Sequence, residues 1–193
     1  MPRPLRVEVP GGTYHITARG NRKQPIFLSD EDHRLFLRLL ARVVGRLAWR
    51  LRSYCLMPNH FHLLAMIECP NLSRGMQRLN GTYAKYFNER YGLSGHVFQG
   101  RFHSVLVERE EHLLELARYL VLNPVRAGLC LHPGEWRWSS YRAMTGSERA
   151  PRFLAADWLV GLFGRSPSES KRAFAAFVRE GTRPGRPAGP TGE

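Results

Sequence analysis

The sequence predicts an α+β fold with elements in the order β-α-β-β-α-β, the split βαβ or ferredoxin-like arrangement, built on a four-stranded antiparallel sheet. Three observations predict it. Strand-forming residues occur in four short runs, the second and third runs adjoin with no helix between them, and amphipathic helical patterns separate the others. Because the helices of this arrangement cover one sheet face, the other face is expected to be free to bind a ligand.

The first strand is predicted at residues 13–19, where β-forming residues alternate before the turn signal Gly20-Asn21. A helix follows, because Ser29 and Asp32 resemble a capping box and apolar residues then recur at helical spacing over 35–47. The remaining core elements are strands at 50–56, 61–67 and 102–107 and helices at 72–91 and 110–122, with a short turn at Pro58-Asn59.

The pattern changes after the core, and we divide the chain accordingly. Residues 1–145 are predicted to form the main domain and residues 146–180 a helical C-terminal extension. The extension has one short helix at 154–163 and another opened by Ser166, with a capping box and a proline in its first turn. Residues 181–193 are rich in Gly, Pro and Arg and are predicted to be a disordered tail.

Charge is the most informative bulk property. The 193 residues carry 29 Lys and Arg against 16 Asp and Glu, a formal net charge of +13, and all but three of the cations are arginine. Arginine grips phosphate in two places, so nucleic acid is the expected partner, although a GC-rich genome would also favour arginine codons.

Other classes are disfavoured. No apolar run approaches the roughly 20 residues of a membrane span, and the N-terminus lacks the apolar core of a signal peptide. We therefore expect a cytoplasmic protein, associated with the nucleoid if it binds DNA. The three cysteines form no Cys-x-x-Cys pair, which argues against a thiolate zinc site or a disulfide framework.

His60-Phe61-His62 is the sharpest motif. On a strand, alternate side chains share a face, so both imidazoles point the same way while Phe61 points into the core. Two neighbouring neutral imidazoles are suited to holding one divalent metal, and two strand histidines without a ligand are the alternative. A histidine-triad hydrolase would need a further histidine where Leu64 stands, so that class is disfavoured.

The third helix carries a tyrosine away from its apolar face, which consists of Leu113, Ala117, Leu120 and Val121. At about 100° per residue, Tyr119 lies roughly 140° from the centre of that face, on the outward side with His112, Glu115 and Asn123. Tyr119 and Asn123 are neighbours one turn apart. Because Pro124 disfavours helical geometry at Asn123, the helix is expected to end or bend there.

Three sequence blocks resemble the REP-associated tyrosine transposases, a group within the HUH single-strand DNA transposases that have one catalytic tyrosine. The blocks are Tyr14–Asn21, Tyr54–Leu63 and Arg118–Leu129, and the resemblance runs from about residue 7 to about residue 145. It implies that residues 1–145 form a ferredoxin-like nuclease domain that cuts single-stranded DNA beside a palindromic hairpin. It also favours a monomer over a dimer.

The resemblance assigns roles to the candidate residues. His60 and His62 would bind Mg²⁺ or Mn²⁺, Tyr119 would attack the scissile phosphate, and Asn123 would be a third metal ligand, or only a helix-terminal Asn. The implied reaction proceeds through a 5′-phosphotyrosine link, which a 3′-hydroxyl can later reverse. A domesticated hairpin-binding protein without turnover and a metal hydrolase that uses water as nucleophile are the alternatives.

Further residues are candidates for contacts with DNA. The candidates for phosphate contacts are Arg19, Asn21, Arg22, Arg101 and Arg126, each of which could equally be solvated surface. The aromatic residues Trp136, Trp138 and Tyr141 either stack on unpaired bases or are buried and seal the edge of the domain.

Overall fold

The computed structural model describes residues 7–182. Its strands are β1 (Thr13–Arg19), β2 (Arg50–Met57), β3 (His60–Met66) and β4 (His103–Val107). Its helices are α1 (Asp30–Leu47), α2 (Leu72–Tyr91), α3 (Glu110–Arg126), α4 (Tyr141–Thr145), α5 (Ala156–Gly161) and α6 (Pro167–Glu180). The predicted order of core elements is confirmed, and the core strand boundaries differ from the prediction by one residue at most.

The four strands form one antiparallel sheet in the order β2-β3-β1-β4. This order puts the first and third strands in the centre, as the ferredoxin-like arrangement requires, so the predicted fold class is confirmed. The register places Thr17 of β1 between His62 of β3 and His103 of β4. Directly paired residues point to the same side, so these three side chains share a sheet face.

Helices α1 and α2 cover the opposite face. The predicted capping box of α1 is present, with Ser29 accepting from the Asp32 N–H and the Asp32 carboxylate accepting from the Ser29 N–H at 2.8 Å. Phe36 of α1 and Tyr83 of α2 are fully buried, and the Phe36 ring packs on Phe61 of β3. Phe61 therefore points into the core, as its position between two histidines predicts.

The second face is not free, which corrects the prediction. Helix α3 packs across it, chiefly against β2, and the ring of Tyr119 contacts that of His62. Since α1 and α2 already fill the first face, α3 can bury apolar residues such as Leu116 and Leu120 against the sheet only on the second. The far edge stays open, and Val105 of β4 is 40% exposed.

Helix α3 also runs further than predicted. It continues through Pro124 to Arg126 instead of ending near Leu122. Proline removes the N–H that would have bonded to the Leu120 carbonyl. The side-chain amide of Asn123 donates to that carbonyl at 3.5 Å, the outer limit of a hydrogen bond, and so partly replaces the missing partner.

The C-terminal extension packs on the core. Leu51 of β2 bridges to Leu154, and the Arg118 guanidinium of α3 lies 4.3 Å from the ring centre of Phe177 on α6. Ser166 caps α6 and proline begins the helix as predicted, but the Glu169 carboxylate accepts from the Arg165 N–H, so the reciprocal half of the capping box is absent.

Trp138 and Tyr141 are buried and the Trp136 indole donates to the Leu56 carbonyl, so these aromatic residues seal the β2 edge. The three cysteines are free. Of the predicted tail, residues 181–182 form a turn after α6, and residues 183–193 lie outside the described residues. Over the range 7–182, no helix is both long and apolar enough to cross a membrane.

Candidate metal and nucleophile site

His60 and His62 begin β3 and share the face on which α3 lies. The ring centres are 4.9 Å apart, with His60 half-buried and His62 only 7% exposed. Their common direction follows from the strand period of two, and this prediction is confirmed. The pair therefore lies beneath α3, where little water reaches it.

The hydrogen bond of His60 fixes its tautomer. Nδ1 of His60 lies 2.7 Å from Oδ1 of Asn59, and an amide oxygen can only accept. Nδ1 therefore carries the proton. A neutral ring has one N–H, so Nε2 of His60 presents a lone pair, which is the form that ligates a metal.

His62 has a partner on one nitrogen only. Its Nδ1 lies 3.0 Å from Nε2 of His15 on β1. Its Nε2 is buried and has no hydrogen-bond partner. A buried polar atom without a partner is costly, so the structure has a position at Nε2 that a ligand would satisfy.

Burial keeps these imidazoles neutral. Desolvation, aided by the charge of Arg19, lowers the pKa of His60 to about 4, and desolvation with the charges of His103 and His112 lowers that of His15 to about 4. The pKa of His62 is lowered well below its usual range, first by desolvation. Neutral rings have lone pairs to offer at neutral pH, so proton competition with a metal is weak.

These shifts predict that the metal-free protein loses stability in acid. The unfolded chain binds protons on its histidines near pH 6.5 while the folded chain resists them, so stability is full above pH 6.5 and declines toward pH 4. At pH 5, His60 is expected to account for about 1–2 kcal/mol of the loss. Urea unfolding at pH 7 and pH 5 measures it.

His60→Gln should reduce this pH-dependent loss, whereas His96→Gln removes an exposed histidine outside the site and is the control. An equal loss in wild type and His60→Gln would contradict the predicted linkage.

Tyr119 lies against the histidine pair. Its ring centre is 5.8 Å from that of His62, with the ring planes at 89°. The Arg126 guanidinium lies 5.2 Å from the centre of the tyrosine ring. Tyr119 is half-buried, so the outward direction inferred from the helical wheel is only partly right. It leaves the apolar stripe as predicted, but its ring packs against His62 of the sheet.

Asn123 follows Tyr119 by one helical turn and is half-buried. Its amide nitrogen is directed to the Leu120 carbonyl, so its oxygen Oδ1 is not used by that bond. No group of three His, Cys, Asp or Glu side chains suited to a metal occurs between residues 7 and 182. A metal bound by the two histidines would therefore need an amide oxygen, water or substrate to complete its ligands.

The predicted phosphate contacts fall into two groups. Arg19 pairs directly with His60 across β1 and β3 and lies at the site. Asn21, Arg22 and Arg101 are exposed in the loops at the same end of the sheet, and a backbone bridge next to Asn21 joins these loops. Arg126 is exposed as well and lies over the Tyr119 ring, and we call these five residues the basic rim.

Two further residues, His15 and Asn59, bond to the histidine pair and are not among the site residues predicted from the sequence. A polar residue at an alternating position of a buried strand is the only local signal for His15, and which residue it faces depends on the strand register. Asn59 is predicted only as a turn residue.

Comparisons with known proteins identify a family and a similar fold. Residues 8–122 match the family model described as "Transposase IS200 like", which is more than half of the chain. None of the curated proteins matches significantly. A solved REP-associated tyrosine transposase bound to a REP hairpin is similar at 19% identity and a TM-score of 0.64, over 78% of this chain and 89% of that one.

A Deinococcus radiodurans protein described as a candidate transposase is similar at 17% identity and a TM-score of 0.43, over 57% of this chain and 90% of that one. The similarity to the hairpin-bound protein confirms the fold, and the family match confirms the resemblance recognised in the three sequence blocks. The chain belongs to the IS200-like transposase family.

Proposed function

We propose that this transposase is a metal-dependent endonuclease and strand transferase for single-stranded DNA, with Tyr119 as nucleophile. One observation carries the proposal: the Tyr119 ring contacts His62, whose buried Nε2 lacks a partner. The proposed nucleophile thus contacts a histidine that has an unfilled ligand position. The solved neighbour is bound to a REP hairpin, which supports hairpin-bearing DNA as the substrate.

The residues present fit a divalent metal. Nε2 of His60 has a free lone pair, Nε2 of His62 is buried without a partner, and Oδ1 of Asn123 is the third donor we propose. Mg²⁺ or Mn²⁺ held there would polarise a phosphate oxygen and stabilise charge on the departing 3′ oxygen. All three donors are neutral, so the cation would keep its full charge.

Tyr119 would form the covalent link. Its Oη bonds to the scissile phosphorus as the bond from phosphorus to the 3′ oxygen breaks. The phenolic proton passes to solvent, and the departing 3′ oxygen takes up a proton from solvent to become a hydroxyl. The product is a 5′-phosphotyrosine diester. Attack by a 3′-hydroxyl on that diester reverses the chemistry and joins strands without another energy source. Arg126, above the tyrosine ring, places positive charge where the phosphate must approach.

The Tyr119 ring contacts His62 of its own chain, so one copy brings the tyrosine to the histidine pair. We therefore propose that a monomer is the active form. Arg19, Asn21, Arg22 and Arg101 would hold the DNA strand at the basic rim.

Arg126→Gln is expected to weaken binding of single-stranded DNA and to reduce the slope of log affinity against log salt by about 0.7, the value for one phosphate contact on a single strand. Fluorescence anisotropy across a salt series measures the slope. Arg78→Gln is the matched control, because Arg78 is an exposed arginine of α2, which lies on the sheet face opposite to α3. An unchanged slope in Arg126→Gln would remove this residue from the DNA interface.

The proposed function is tested with labelled single-stranded DNA carrying palindromic hairpins from the host genome. The protein, with Mn²⁺ or Mg²⁺, should give cut strands and a protein–DNA adduct that survives denaturation, and chelator should abolish both. The same sequence as a full duplex should give neither. Binding without cutting under either metal would support a domesticated binding protein. Cutting without an adduct would support water as the nucleophile.

A further inference from the structure

His15 and His62 share one hydrogen bond that joins two central strands of the sheet. Nε2 of His15 lies 3.0 Å from Nδ1 of His62, and the ring planes differ by only 9°. The ring centres are 5.2 Å apart, close to the nitrogen–nitrogen distance plus the radius of each ring. The rings therefore lie side by side in one plane, with each nitrogen along the other's lone-pair direction, which is good hydrogen-bond geometry.

Only one proton can lie between the two nitrogens of two neutral rings, and the ring that carries it decides whether His62 can bind a metal. If Nδ1 of His62 donates, its Nε2 has a lone pair. If Nε2 of His15 donates, Nδ1 of His62 accepts and the single N–H of His62 is at Nε2, which then cannot ligate.

The surroundings favour the first arrangement. Nε2 of His62 is buried without a partner, so a proton there would be a donor sealed from water with no acceptor. A lone pair at the same position becomes a ligand as soon as a cation binds. His60 shows the same design, because its Nδ1 proton is held by Asn59 and its Nε2 is left bare.

We propose that His15 is a positioning residue that accepts the Nδ1 proton of His62 and thereby holds His62 in the metal-binding tautomer. His15 would not touch the metal or the DNA. This role rests on the proposed function, in which His62 is a ligand. Outer partners of this kind typically contribute 10–100-fold in metal affinity, because they set the orientation and basicity of the ligand.

Two substitutions of His15 separate this role from a structural one. His15→Leu removes the acceptor, and we expect Mn²⁺ affinity to fall by about 10–100-fold. His15→Gln places an amide oxygen near the position of Nε2, so it should accept the same proton and keep affinity within a few-fold of wild type. His103→Leu is the matched control, because this exposed histidine lies on the same sheet face but Thr17 separates it from His62.

Titration of each protein with Mn²⁺ alone, followed by the electron paramagnetic resonance of the free ion, gives the affinities without DNA or turnover. Far-UV circular dichroism and melting temperature show whether each variant is folded. His60→Ala is included to test the site itself. If wild type binds Mn²⁺ no more tightly than His60→Ala does, the proposed function fails. If wild type binds and folded His15→Leu binds equally well, only the role of His15 fails.

Nitrogen chemical shifts of ¹⁵N-histidine-labelled, metal-free protein report the tautomer directly. We expect His62 to be protonated at Nδ1 in wild type and His15→Gln, and to lose that preference in His15→Leu. A merely structural contact would leave the tautomer unchanged. Protonation of His62 at Nε2 in wild type would overturn the inference even if the affinities changed. Because this measurement uses the wild-type protein, it decides the question even if His15→Leu does not fold.

Discussion

Replacing Tyr119 by Phe is expected to lower the rate of strand cleavage by at least about 10⁴-fold and to abolish the covalent adduct. The change removes only the hydroxyl group, so the ring can keep its contact with His62 and its place beneath Arg126. Affinity for single-stranded DNA and for Mn²⁺ should therefore stay within a few-fold of wild type. Denaturing gels with labelled hairpin DNA measure cleavage and adduct together.

The control for this variant is Tyr86→Phe, which removes the hydroxyl of an exposed tyrosine on α2. It should cleave as fast as wild type. Cleavage that survives in Tyr119→Phe would mean that water or another side chain attacks the phosphate, and the assignment of the nucleophile would be wrong.

Replacing His60 by Ala is expected to cost at least about 100-fold in Mn²⁺ affinity and about 10³-fold in cleavage at subsaturating metal. The substitution removes one of two imidazole ligands and leaves the Asn59 amide oxygen without its donor. His60 is half-buried at the start of β3, so the fold should survive the change better than it would at His62, which is buried. Calorimetric titration with Mn²⁺ and the cleavage assay measure the two effects.

High metal should partly restore cleavage in His60→Ala but not in Tyr119→Phe, because only the first variant has a binding defect. His103→Ala serves as the control, since it removes an exposed histidine of β4 on the same sheet face. Equal Mn²⁺ affinity in His60→Ala and wild type would show that the histidine pair is not the metal site.

Local signals were enough to predict the separate elements. Ser29 and Asp32 form the predicted cap of α1, and the apolar stripe that follows them ends at Leu47 as expected. The alternation of His60, Phe61 and His62 depends only on the period of a strand, and these side chains do alternate between the two sheet faces. Each of these features is decided by residues within a few positions of one another.

The position of α3 was not predictable in the same way. The helical wheel of α3 identifies an apolar stripe but not the surface that the stripe covers. Arg118 and Leu122 fall off that stripe, yet both are buried because α6 packs beside them. Asn123 compensates in part for the hydrogen bond that Pro124 removes. A prediction based on the proline alone therefore ends the helix too early.

The polar partners of the site depend on tertiary structure. His15 is 47 positions from His62 in the chain, and the two meet only because β1 pairs with β3 in one particular register. A shift of one residue would turn His15 to the other face. The sequence therefore predicted the histidine pair and the tyrosine, but not the network that sets their protonation.

The most direct test of the central claim is to identify the residue that carries the DNA. The denatured adduct would be digested with nuclease and trypsin and read by tandem mass spectrometry. Trypsin cuts after Arg118 and Arg126, and the peptide 119–126 contains Tyr119 as its only tyrosine. We predict that this peptide carries a nucleotide joined through its 5′ phosphate to Tyr119. A nucleotide on any other peptide, or cut DNA with no modified peptide, would contradict the account.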